Sequence, residues 1–235
     1  MRLHKYIANC GYTSRRRAEL LIQAGRVQVN GKVLTSLGTT IHPKDVILVN
    51  GESIQPPVPM TIVFNKPAGV ITSTHDTHDR LTVMDVLPKS LRDRGVLPAG
   101  RLDQDTEGLL VLTNDGDLAH EITHPRYETE KEYEALVSGS PTPEGLGRLE
   151  KGVRIEGEMT APAKIASVQA EGSATRAHIV IHEGKKRQVR RMFESIGHPV
   201  LYLKRVRVGG LLLGELPTGE WRELKKEEID MLRGA

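Results

Sequence analysis

The segment Leu97-Pro98-Ala99-Gly100-Arg101-Leu102-Asp103-Gln104-Asp105-Thr106-Glu107-Gly108, followed by Leu109-Leu110-Val111-Leu112, decides how the rest of the chain is read. Gly100 and Gly108 bracket a charged loop, and the apolar run after it predicts a buried strand. Glycine reaches backbone conformations that other residues resist, so a loop pinned by glycine at both ends can aim one side chain at a ligand. Asp103, Asp105 and Glu107 put three carboxylates within five residues, and Arg101 stands two residues before the first. Taken alone, such a stretch also fits a solvated acidic turn between two strands. A calcium loop fits poorly, because the spacing lacks the glycine and distal glutamate of an EF-hand.

Composition sets the frame around this loop. The chain has 235 residues, 38% of them apolar and only 3% aromatic, enough for a small domain plus a medium one. The single cysteine, Cys10, excludes an internal disulfide framework and a cysteine-rich zinc site, and points to the cytoplasm. No apolar run approaches the ~20 residues of a membrane helix, and the N-terminus has no signal-peptide core. Net charge is +3, but residues 1–50 carry eight Lys or Arg against two acids, leaving 25 basic and 28 acidic residues beyond. A basic first module on a near-neutral body suits a polyanionic partner.

In that first module, Met1 to Ala8 predicts a short helix with Leu3, Tyr6 and Ile7 on one face, ended by Gly11. Thr13 or Ser14 caps a second helix from Arg15 to Ala24, with Ala18, Leu21 and Ile22 as its apolar stripe. Arg26 to Val33 alternates around Asn30-Gly31, a strong hairpin signal, and Ile41 to Val49 closes the unit as a strand. Arg15, Arg16, Arg26 and Lys32 would gather where a helix N-terminus meets the hairpin, a place that favours phosphate oxygens. Asn50 to Pro59, with three prolines, reads as a semi-stiff tether.

Beyond the tether, Thr61 to Phe64 predicts a strand, Asn65-Lys66-Pro67-Ala68-Gly69 a turn, and Leu81 to Leu87 a short helix. His75 and His78 lack companion ligands, so no metal is expected. Asp117 to His124 predicts a helix stopped before Pro125, and Glu130 to Val137 a strand carrying Tyr133. Another helix is expected from Pro143 to Gly152, and alternating strands near 163–169 and 175–181. Arg187 to Ile196 has helical spacing, with Val189, Met192, Phe193 and Ile196 inward. From Gly184 to Arg207 there are eight basic residues and one acid, which predicts a phosphate-facing surface including Lys186, Arg187, Arg190 and Arg191.

Several of these strings, in order, resemble one family. Ser14-Arg15-Arg16, Gly25-Arg26-Val27 and Val29-Asn30-Gly31-Lys32 resemble the S4 RNA-binding domain. Asn-Lys-Pro-x-Gly at 65–69, Gly-Arg-Leu-Asp at 100–103, Lys-x-Tyr at 131–133 and Gly184-Lys-Lys-Arg-Gln-Val-Arg-Arg-Met192 resemble RNA pseudouridine synthases, in the branch whose members modify single uridines of ribosomal RNA. The resemblance implies an α+β fold. It divides the chain into an S4 domain at 1–49, a linker at 50–59, and a synthase domain at 60–235 with a mixed, mostly antiparallel sheet, flanking helices and a basic cleft. It implies Asp103 as the catalytic carboxylate, Tyr133 against the target base, and Lys185 as the cationic partner that favours the ionised aspartate. Arg101 would intrude where the nucleotide leaves its stack.

The reaction breaks N1–C1′, turns the base and joins C5 to C1′. It needs neither redox change nor energy input, so no cofactor is expected. The Glu107-Gly108-Leu109-Leu110 and Gly184-to-Gln188 variants look more like the large-subunit members, implying 23S rRNA, free or in an assembling subunit, and a monomeric enzyme. The alternatives are a 16S-specific synthase of the same family and a non-catalytic S4 protein of ribosome assembly. A glycoside hydrolase using Asp103 with Glu107 is disfavoured by the basic surfaces.

Overall fold

The computed structural model describes residues 1–233. Two helices, Leu3–Asn9 and Arg15–Gln23, open the chain. The Ser14 hydroxyl caps the second by accepting from the Arg17 amide at 3.3 Å. They pack on a small antiparallel sheet through Leu3, Ile7, Ala18, Ile22, Val27, Ile47 and Val49, a core separate from that of the rest of the chain. The Asn30-Gly31 turn joins strands Val27–Val29 and Lys32–Leu34. The expected closing strand is shorter, Ile47–Val49, and it turns at Asn50-Gly51 into Glu52–Ser53. The start of the expected tether is therefore sheet. Ile54 also packs on this core, its carbonyl accepting from the Tyr6 hydroxyl at 3.3 Å.

The larger unit is a nine-stranded sheet whose main path runs Lys164–Glu171, Ala174–Ile181, Lys131–Ser138, Val200–Val208, Glu107–Thr113, Thr61–Lys66, Trp221–Glu223. Every neighbouring pair is antiparallel except Val200–Val208 with Glu107–Thr113. That parallel seam consists of two residue pairs, Lys204 with Glu107 and Arg205 with Gly108. The sheet is thus mixed and mostly antiparallel.

Alternation assigns the two faces. Ile62, Phe64, Leu110 and Leu112 point into one core with Leu149, Val189, Met192 and Phe193 of helices Pro143–Lys151 and Gln188–Glu194. Val63, Leu109 and Val111 point into the other, with Leu118 and Ile122 of helix Gly116–Thr123 and Leu232 of helix Lys226–Leu232. Covered on both faces, strand Thr61–Lys66 is buried along its whole length. No helix among the described residues is long and apolar enough to cross a membrane.

Candidate active site

The acidic loop is braced from below by a buried lysine. Lys66, the last residue of its strand, is fully buried, and its ammonium donates to the carbonyls of Pro67 at 2.8 Å, Thr106 at 2.9 Å and Gln104 at 3.4 Å. Burial pulls its pKa down to about 8 against the opposing pull of Glu107, Asp105 and Asp103, with Arg205 adding to the fall. Asn65-Lys66 was expected in a turn; it ends the strand, and its lysine supports the loop's backbone from inside.

Gly108 fixes the loop's far end. Its φ is +100°, and a Cβ there would lie 2.2 Å from the Arg205 carbonyl oxygen and 2.8 Å from the Arg205 amide nitrogen. Only glycine allows the two strands of the parallel seam to approach so closely. Arg205 is itself 4% exposed, and so departs from the phosphate-facing surface expected of the basic residues from Gly184 to Arg207. Its guanidinium donates to the Leu109 carbonyl at 2.7 Å, the Tyr133 hydroxyl at 3.4 Å and the Arg101 carbonyl at 3.5 Å. Arg207 pairs with Glu130 and Glu132. On a regular strand Arg205 and Arg207 would share a face; a register shift between them against Lys131–Ser138 separates their settings, and each is engaged within the protein.

Above this frame lies a cavity of about 340 Å³, lined by Asp103, Tyr133, Lys185, Arg101, Lys131 and Arg205 among others. Asp103 is half-buried and, among the described residues, its carboxylate takes part in no ion pair. It is one of the negative charges acting on Lys66, Arg187 and Arg190. Tyr133 is 9% exposed, with Arg205 6.0 Å above its ring centre. Lys185 borders the cavity, but its ammonium donates to Glu158 at 3.0 Å and the Met159 carbonyl at 2.7 Å rather than to Asp103. Glu107 accepts from the Tyr202 hydroxyl at 3.0 Å, and burial with that contact pushes the Tyr202 pKa up to about 12.

The basic residues divide into two sets. Arg15, Arg16, Arg26, Lys32, Arg101 and Lys186 are exposed. Arg187, Arg190 and Arg191 are engaged within the protein. Arg187 forms a two-pronged pair with Asp105, at 2.9 and 2.8 Å, and Arg190 reaches the Asp105 carbonyl at 2.6 Å and its carboxylate at 3.3 Å. Burial would raise the Asp105 pKa, but the two arginines hold it below the ordinary carboxylate value. Arg191 pairs with Glu156 at 2.5 Å. The Gly184–Arg187 loop is closed by Gln188, which accepts from the Lys185 amide at 3.0 Å and donates to Glu183 at 2.5 Å. Residues 82 apart in sequence are thereby clamped together, a pairing with no sequence signal. Lys66 and Lys131 lie inside the quoted motifs but carry no expected role there, and Arg205 lies outside them; all three belong to the site. Lys131 had the signal of lying two residues before Tyr133, and so on the same strand face.

Residues 60–195 match the model of the RNA pseudouridylate synthase family. The chain belongs to this family. Residues 1–47 of the synthase match the S4 domain. It is 47% identical over 234 residues to ribosomal large subunit pseudouridine synthase B of Bacillus subtilis, covering 99% of this chain and 95% of that one. It is 41% identical to the protein of the same name from Pseudomonas aeruginosa, over 98% of this chain and 61% of that longer one. A crystal structure of a pseudouridylate synthase matches over 99% of both chains, with TM-score 0.71 and 31% identity.

Proposed function

We propose that this synthase isomerises a uridine of 23S ribosomal RNA, with Asp103 as its catalytic carboxylate, Tyr133 stacked on the uracil and residues 1–49 holding the RNA strand. The observation that carries the reading is the Asp103 carboxylate. It is not committed to an ion pair, and it faces the same cavity as Tyr133, inside a loop immobilised by Lys66, Arg205 and the Asp105 clamp. Relatives named for the large ribosomal subunit support the choice of 23S.

An anionic oxygen at position 103 can trap or stabilise the electron-poor C1′ while the detached base turns. The target must leave its stack to reach it, since C1′ and N1 are shielded in folded RNA. Arg101, exposed at the cavity rim, is placed to fill the gap, and Tyr133 limits the base's motion between cleavage and rejoining. Lys185 serves as the partner of Asp103 only after leaving Glu158, and Lys186, exposed, meets phosphate. The S4 unit, expected at 1–49, takes in the strand Glu52–Ser53 and Ile54 as well, and the catalytic unit is 60–235. The test is base-resolution mapping of pseudouridine in unmodified 23S and 16S rRNA fragments. Wild type should convert one 23S uridine, and Asp103→Asn should bind the RNA but not convert it. Conversion by the variant at the wild-type rate would refute the role of Asp103.

A further inference from the structure

The cavity contains a cation to which the reading above gives no task. Lys131 lies two residues before Tyr133 on strand Lys131–Ser138, so both side chains stand on the same face of the sheet, and both line the cavity with Asp103. Lys131 is half-buried. Its ammonium donates to one acceptor, the Thr129 carbonyl at 2.8 Å. Among the described residues no carboxylate pairs with it, whereas Lys185 is held by Glu158 and Arg205 by backbone carbonyls. The residues opposite it on the flanking strands, Ile181 and Val208, are uncharged. The charged group that acts on it is another cation, Arg205; with burial as the larger cause, this lowers Lys131 to about 8.

A half-buried ammonium with one protein acceptor, no carboxylate partner and a like charge beside it favours the arrival of an anion. We propose that Lys131 is a further catalytic residue, whose ammonium receives the negative charge that the uracil ring acquires during isomerisation. The proposal rests on the uridine-isomerase reading. If the sugar is attacked, the base departs with the N1–C1′ electron pair; if the ring is attacked, electrons move onto its carbonyls. Either way the excess charge gathers on the ring's nitrogen and oxygen atoms, and a Lys131 N–H donates to one of those oxygens. No proton need leave the lysine. Forming C5–C1′ uses the ring's electron pair, C5 loses its proton, N1 gains one, and the product is an isomer of the substrate. A donor that meets charge present only during reaction lowers the barrier without tightening ground-state binding.

The experiment uses the full chain and an rRNA fragment that wild type modifies, measuring the single-turnover rate and RNA affinity separately. Lys131→Met should slow the rate by about 100-fold while Kd stays within about threefold. Lys131→Arg should recover most of the rate. The wild-type rate should show an alkaline limb as Lys131 loses its proton, and that limb should move to higher pH in Lys131→Arg, a shift that a merely structural role would not produce. Circular dichroism checks that both variants fold, and Lys131→Arg remains decisive if Lys131→Met does not. A wild-type rate in Lys131→Met, an unmoved alkaline limb, or weakened binding with an unchanged rate at saturating RNA would overturn the proposal; the last would make Lys131 a phosphate contact. If wild type converts no uridine, the functional reading itself fails and this proposal with it. If wild type is active, Asp103→Asn is inactive and Lys131→Met is normal, the Lys131 role alone is wrong.

Discussion

Replacing Gly108 with alanine should be among the most damaging single changes to this protein. Two costs add. A non-glycine residue held at the φ of +100° is strained by about 1–3 kcal/mol. Its Cβ would also lie 2.2 Å from the Arg205 carbonyl oxygen, against an ordinary contact of 3.4–4 Å, so the parallel seam must open by about an ångström. Opening it weakens the backbone hydrogen bonds there, each worth about 1 kcal/mol. The sum, roughly 3–5 kcal/mol, is a large share of a typical margin of about 5–15 kcal/mol. At about 2–4 °C per kcal/mol for a chain of this size, Tm should fall by roughly 6–20 °C. Gly157→Ala is the control. Its φ is +86° and an added Cβ meets no atom within 4 Å, so it should cost only the backbone strain, about 1–2 kcal/mol. Thermal melts followed by circular dichroism, supported by urea titrations, compare the two. Melting of both variants within about 2 °C of each other would refute the close-approach argument.

Arg187→Ala removes the two-pronged tie to Asp105 and should lower turnover more than RNA affinity; a tenfold weaker Kd with turnover intact would instead make Arg187 an RNA contact. The double variant Arg15→Ala/Arg16→Ala should weaken RNA binding and reduce the slope of log K against log salt by about 1.5, measured by filter binding between 50 and 200 mM salt. The Lys66 pKa lies at about 8 in the folded chain against 10.5 when free, so the unfolded chain binds more protons between those values and unfolding free energy rises with pH across that window. Lys131 contributes with the same sign. Urea titrations at pH 7.5 and 10 should show a smaller rise in Lys66→Met than in wild type.

Much of the architecture was legible because it depends on local patterns. Thr13 or Ser14 announced a helix start, with Ser14 the cap, Asn30-Gly31 a hairpin, and Pro125 the end of the preceding helix. The motif strings located the loop carrying Asp103. What stayed hidden depends on distant neighbours. Lys66 looked like a turn residue because nothing near it in sequence reveals that its strand is covered on both faces. The ties of Arg187 and Arg190 to Asp105 and of Arg191 to Glu156 were not legible, because those partners lie far away along the chain. Arg205 looks no different in sequence from Lys204 and Arg207, and only its register opposite Gly108 puts it inside. Asp103 and Lys185 do share the cavity, but the preference of Lys185 for Glu158 comes from the hairpin Arg154–Ile155/Glu158–Met159, which composition does not single out.

The two-pair parallel seam has a mechanical consequence. It is where the sheet's two halves are stitched together, and the cavity sits beside that stitch. Both cores run across that stitch, one on each face, so neither half can come away alone. Heating should therefore silence the enzyme and lower its bulk ellipticity in one transition, since the packing that holds the cavity is the packing that holds the sheet.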